Sequence, residues 1–255
     1  MGGEPLPTTD PQEASDLTAS VSRVIDALFV AGGVEDSASR VISLAVSTIE
    51  GCDHAGILLA DGTGRPAEVV PEIADPLVVD LEAVQSRTGE SPCLDALTQG
   101  VTVDVEDLVD DRRWPHFGPA AMALGVRSLL ALPLMVNGAP GALNLYALYP
   151  RAFGVIDRAR AQLLAAIAGL ALASARTHED EERRTADLHA ALATREMIGQ
   201  AQGILMERER ITADQAFDIL RRASQHLNIK LRDIAQQLVD TGERPDTGTG
   251  AADPA

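Results

Sequence analysis

Lysine is all but missing from this chain. Among 255 residues only Lys230 carries an ε-amine, against 20 arginines. Residues 1–229 therefore supply neither a phosphate-loop lysine nor a Schiff-base amine. Cysteine is scarce too: Cys52 and Cys93 lie far apart and in no metal-ligand spacing. That usage excludes a disulfide framework and fits a reducing cytosol. No apolar run is long enough to cross a bilayer, Leu163–Ala175 being the best candidate. The opening MGGEPLPTTDPQEASD is polar, proline-rich and acidic, the opposite of a signal peptide. A cytoplasmic protein is expected. No nucleophile–base pair, paired-carboxylate motif or metal cluster is visible, and His189 on its charged helix has no glycine-rich nucleotide-binding segment after it. The pattern is not that of an enzyme.

What is present is acid, unevenly spread. The net charge is −17. Residues 1–175 hold 10 basic and 23 acidic side chains, whereas 195–235 hold seven and six. The whole chain repels a polyanion at long range, so any contact with nucleic acid must come from a local patch.

The apolar spacing predicts a helix over Asp16–Val30 and a second one capped by Ser37, with Val41, Ile42, Ala45, Val46 and Ile49 inward. AGILLA, the turn DGTG and RPAEVV read as a hairpin. Leu77–Val84 and Pro92–Gln99 read as short helices, VTVDV as a strand and DDRRWPHFGP as a loop. Val126–Val136 and Ala142–Tyr149 are strong strands around NGAPG, followed by an alanine-rich helix over Ile156–Arg176. This order predicts an α+β domain with an antiparallel sheet flanked by helices. From Thr177 the chain stays helical, with a thin seam at Leu188, Ala191, Ile198 and Leu205 that suggests a coiled coil between protomers.

The segment from Arg195 to Val239 divides into three helices. The second is opened by the capping box Thr212–Gln215 and has an apolar stripe of Ala213, Ala216, Phe217, Leu220, Ala223 and Leu227. Phe217 falls on that stripe, so no aromatic platform for base stacking is expected. Leu231, Ile234, Ala235 and Leu238 face inward from the third helix. Gly199 and Gly203, one turn apart inside the first helix, each cost about 1 kcal/mol relative to alanine, which suggests close helix packing there. Arg221, Arg222, Ser224, Gln225, Asn228, Lys230 and Arg232 gather at the junction of the second and third helices. Arginine forks onto phosphate, and amides and hydroxyls read unpaired base edges.

The runs IGQAQGILM (198–206), ITADQAFDILRRASQ (211–225) and NIKLRDIA (228–235) resemble the ANTAR family of three-helix RNA-binding modules of transcription antiterminators. The resemblance implies binding to RNA stem-loops in nascent transcripts by a homodimer. It carries RNA contact to Gln202, Arg221, Arg222, Ser224, Asn228, Lys230 and Arg232. Relatives often carry lysine where this chain has Gln202 and a basic residue where it has Ile229, so the patch here is less charged. Residues 20–175 resemble a GAF sensor domain, most clearly in VRSLLALPLMVNGAPGALNLYALYPRAF. That implies a small-ligand pocket between the sheet and residues 75–125, to which His54, Cys93, Trp114, His116 and Phe117 are candidates. No cofactor motif identifies the ligand.

The expected organisation is a tail over 1–14, a GAF domain over 15–175 and a helical linker over 176–194. An ANTAR domain over 195–241 and a tail over 242–255 complete it. Two other outputs stay open: a dimerisation or protein-interaction regulator without RNA binding, and a DNA-binding factor suggested by LRDIAQQLV, which no recognition helix follows.

Overall fold

A computed structural model describes residue 28 and residues 32–60, 66–67 and 75–243. The expected helix over Asp16–Val30 and both expected tails fall outside these residues, apart from Leu28 and the pair 242–243. The chain divides into two compact units, Met1–Asp180 and Glu181–Ala255.

The first unit is built on a five-stranded antiparallel sheet of order β2-β1-β5-β4-β3. Its strands are β1 (His54–Ala60), β2 (Pro66–Ala67), β3 (Val103–Val105), β4 (Ser128–Val136) and β5 (Ala139–Ala147). Helices α1 (Val34–Thr48), α2 (Pro76–Thr88), α3 (Pro92–Gln99) and α4 (Phe117–Ala123) accompany it. The β4–β5 loop is tighter than NGAPG suggested. Asn137 and Gly138 alone make the turn, both at positive φ (51° and 81°), and Val136 pairs with Ala139. Two such residues form the turn whose twist matches a two-strand ribbon, which favours Asn-Gly.

The period of two sorts β4 and β5 onto two cores. Leu130, Leu132, Leu134, Leu143 and Leu145 enter one cluster with α1 and the alanine face of the helix that follows β5. Leu129, Ala131, Ala142 and Tyr146 enter the other with α2, α3 and α4. Both faces are covered, which explains why LLALPLMV (129–136) reads as an unbroken apolar run. On the first face α5 (Val155–Glu209) begins. A Cβ at its Gly169 would stand 3.1 Å from the Met135 carbonyl oxygen, so glycine lets the helix lie close against β4.

Several expectations need correction. Ser37 does not cap α1: the helix starts four residues earlier, at Val34, with Gly33 at the N-cap and no side-chain cap. Ser37 is buried inside the helix, where its hydroxyl accepts from Arg40. The capping group comes from afar: Glu179 Oε1 accepts from Val34 N at 2.7 Å. Val46 is exposed. The expected loop DDRRWPHFGP ends in a helix, α4, because Glu90 Oε1 accepts from the backbone N–H of His116 (2.6 Å) and Phe117 (3.1 Å). A partner 26 residues away leaves no local signature.

The second unit comprises the end of α5, α6 (Ala213–Leu227) and α7 (Leu231–Thr241). Arg210, at φ 54°, follows the end of α5. The capping box at α6 is formed: Gln215 N donates to Thr212 Oγ1 and Thr212 N to Gln215 Oε1. The core joins Ala201 and Leu205 to Ile219, Leu220 and Ala223 of α6 and to Ile234, Ala235 and Leu238 of α7. Leu231 packs partly buried against it. The α6 stripe was misplaced by one flank. Ile219 belongs to the core, whereas Ala213, Phe217 (38% exposed) and Leu227 lie on the surface.

The expected coiled-coil seam is also split. Leu205 is buried in this core and not available to a partner helix, and Ile198 packs partly buried against it. Leu188 and Leu192, 60% and 56% exposed, open a different row. At 3.6 residues per turn it continues through Arg195, Gly199, Gly203 and Met206. A Cβ at Gly199 or Gly203 would meet nothing within 4 Å, so close packing within the chain does not account for these glycines.

Candidate RNA-binding face and sensor pocket

The seven residues expected at RNA divide by role. Gln202 is half-buried, and its Nε2 donates to the Ala213 carbonyl at 3.1 Å, bracing α5 against the start of α6. Ser224 Oγ donates to the Ile229 carbonyl at 2.6 Å, and Ile229 N donates back to the Ser224 carbonyl at 3.1 Å. Asn228 caps α6 in the left-handed region at φ 53°. These three residues hold the α5–α6–α7 frame together. Only the Asn228 side chain is also well exposed.

The cations are the accessible part. Arg221 Nη2 donates to Asp218 Oδ1 at 2.9 Å, and Arg222 Nε donates to the Asp218 carbonyl at 3.3 Å. Arg232 Nε lies 3.2 Å from Asp233 Oδ1. Lys230 occupies the N-cap of α7 without a side-chain cap bond and is exposed. Exposed pairs such as Arg221–Asp218 contribute about 0–1 kcal/mol, so a phosphate can displace the carboxylate at little cost. The adjacent arginines do not act from one face: consecutive helical positions are rotated by about 100°. Arg221 shares its flank with Phe217, Ser224 and Asn228, while Arg222 turns toward the flank of His226. The exposure of Phe217 was invisible in the sequence because an apolar residue beside the stripe reads as core.

Beside α5 and the end of α7, Gln200, Gly203, Ile204, Glu207, Arg208, Val239 and Gly242 line an open groove of about 580 Å³. Arg208 donates from Nη1 to the Gly242 carbonyl at one end of it.

In the first unit, three of the five pocket candidates meet. Cys93, Trp114 and Phe117 are buried in one cluster with Tyr146, under α2, α3 and α4. Cys93 Sγ lies 3.5 Å from the Tyr146 hydroxyl. Trp114 Nε1 donates to Asp95 Oδ2 at 3.0 Å, and the Arg113 guanidinium sits 4.4 Å from the ring centroid. The two histidines are elsewhere. His54 Nδ1 meets Asp75 Oδ2 at the mouth of α2, where Asp75 Oδ1 accepts from Leu77 N at 2.9 Å. His116 is exposed and serves as the N-cap of α4.

The polar groups that sequence reading missed line the same side of the sheet. Ser91 Oγ donates to Gln85 Oε1 at 2.5 Å, both buried. Asn144 is 3% exposed, and its Oδ1 has no hydrogen-bond partner among the described residues. Burial pushes the Glu82 carboxyl up to about 7. Burial likewise pushes the thiols of Cys52 and Cys93 up to about 12, so neither is a thiolate near neutrality. Among the described residues no group of three or more His, Cys, Asp or Glu is placed to hold a metal ion. No described helix is long and apolar enough to cross a membrane.

A family model of the GAF domain matches residues 32–173, and one of the ANTAR domain matches residues 186–239. Among solved structures, the GAF domain of an Acinetobacter phosphoenolpyruvate-protein phosphotransferase aligns at 14% identity. That alignment covers 66% of this chain and 97% of the other, with TM-score 0.47. A free methionine-R-sulfoxide reductase from Neisseria meningitidis, solved with its substrate, aligns at 17% identity over 70% of this chain and 99% of its own, TM-score 0.46. No match was found among curated proteins. The GAF match spans more than half of the sequence. This chain thus belongs to the GAF domain family and has GAF–ANTAR architecture, a domain of the sensory class followed by one of the RNA-binding antiterminator class.

Proposed function

We propose that this protein is a signal-responsive transcription antiterminator without catalytic activity. Its GAF domain takes a small ligand or protein partner and thereby controls binding of the ANTAR domain to stem-loops in nascent mRNA. The observation that carries this reading is the exposed set Arg221, Arg222, Lys230 and Arg232 around the α6–α7 junction of the matched ANTAR domain. These side chains are available to phosphate in a chain whose other charges repel it. Domain boundaries near 175 and 195, with 176–194 as the linker, belong to the same proposal. So does a cytoplasmic location.

The functional form is a homodimer. Leu188 and Leu192 stand exposed one turn apart on α5, and burying such leucines against a second copy gains roughly 1.5–3 kcal/mol each. A dimer presents two RNA-binding faces, which compensates for a patch with a single lysine. Ligand control requires different ligand affinities in the RNA-competent and incompetent states.

The test is a gel shift on a stem-loop RNA with the R221A/K230A double variant. A large loss of affinity, with a shallower dependence on salt and unchanged helicity, is the expected result. Unchanged affinity removes both residues from the site, and preference for duplex DNA over hairpin RNA sinks the reading. An intact dimer that binds no RNA establishes the protein-interaction alternative.

A further inference from the structure

Phe217 is the last aromatic residue of the sequence, and it is not used where an aromatic is normally used. It lies outside the apolar core of the second unit, with 38% of its surface exposed. Its flank of α6 contains Ala213, Phe217, Arg221, Ser224 and Asn228, which follow one another at the three- and four-residue spacings of a single helical face. Asp214 and Asp218 border that row, and the other exposed large apolar side chains nearby, Leu227 and Ile229, lie at its far end, about three turns from the ring. An interface with another protein would need a contiguous apolar patch. One ring beside one guanidinium has a different complement: a flat, apolar-faced group tethered to a phosphate.

We infer that Phe217 is the stacking platform for an unpaired RNA base, and that Arg221, one turn farther along, takes a phosphate beside that base. Side chains four apart on a helix have Cβ atoms about 5–6 Å apart, well matched to a base and its own backbone. Loop nucleotides are unstacked and splay outward, and aromatic side chains are their usual seats. The Arg221–Asp218 contact at 2.9 Å is exposed on both sides, so it holds the guanidinium near its place and yields to phosphate. Ser224 is committed to the Ile229 carbonyl, which leaves Asn228 as the remaining polar side chain of the row. The inference rests on the RNA-binding reading above and assigns it a contact that charge alone does not provide.

The experiment begins with full-length protein and a pool of tandem RNA stem-loops with randomised loops. The enriched RNA is then remade with 2-aminopurine, or an abasic site, at each loop position. F217A and F217L should weaken binding roughly 5- to 150-fold, the range for losing one base–aromatic stack, while F217W retains it. One abasic position should cost the wild type the same factor and cost F217A nothing further. The log–log salt slope should be unchanged in F217A and shallower by about 0.7 in R221A. Circular dichroism checks folding, and F217L keeps a good helix former at the site. Wild-type affinity in F217L overturns the inference. So does a loss of dimer mass in F217A without RNA, which would mark the ring as a protein contact. If the wild-type chain enriches no RNA, the RNA-binding reading itself fails.

Discussion

Replacing Gly199 and Gly203 by alanine should stabilise the second unit. Both glycines lie within the continuous helix α5, and a Cβ at either position meets nothing within 4 Å. The change therefore adds no clash and removes the excess backbone freedom of glycine in the unfolded chain. Each substitution gains about 0.5–1 kcal/mol. The two side chains do not compete for space, so the gains add to about 1–2 kcal/mol. In a unit of this size each kcal/mol moves the midpoint by about 4–8 °C, which predicts a rise of roughly 4–16 °C for the pair.

The assay follows from composition. Trp114 is the sole tryptophan and lies in the first unit, so its emission reports that unit alone, while ellipticity at 222 nm reports helices in both. The G199A/G203A variant should shift the ellipticity transition that has no counterpart in tryptophan emission. An unchanged midpoint, or a lower one that varies with protein concentration, would refute the reasoning. The latter would show that the proposed contact between copies at Leu188 and Leu192 reaches along the same row to these glycines.

Two further outcomes concern the first unit. Glu82, with its folded value raised from 4.5 to about 7, holds its proton more tightly folded than unfolded. Its contribution is complete below pH 4.5 and is lost as pH rises through 7. Relative to wild type, the E82Q variant should gain stability across that window in chemical denaturation at several pH values; parallel pH profiles would exclude Glu82 as the cause. The second outcome concerns the thiols of Cys52 and Cys93, both buried and both pushed up to about 12. A chromogenic disulfide reagent at pH 8 should label neither in the folded protein and both in guanidinium. A thiol that reacts at once in native buffer would contradict this burial.

Local rules served where the determinants are local. The Thr212–Gln215 capping box, the helix over Pro92–Gln99 and the β4–β5 hairpin were legible because each is set by neighbours within a few residues. Determinants far apart in sequence were not. Glu90 starts α4 from 26 residues away, Glu179 caps α1 from the far end of the unit, and Asp95 fixes Trp114. The candidate RNA face was half legible. Composition located the cations, but Gln202 and Ser224 turned out to brace the helices. The apolar period of α6 drew Phe217 inward because the 3.6-residue repeat fixes a stripe only to within one flank. Around the candidate sensor site, Asn144 and Glu82 were missed because the first sits in an apolar strand and the second on an ordinary charged helix.

The position of Lys230 has a practical side. As the only lysine, exposed at the N-cap of α7, it gives the whole folded chain a single ε-amine for acylating reagents, and that amine stands on the face assigned to RNA. Its modification rate is thus a native footprint of that face. Conversely, amine-dependent fixatives such as formaldehyde have one lysine on which to join this protein to a transcript, so ultraviolet crosslinking is the better means of recovering its targets from cells.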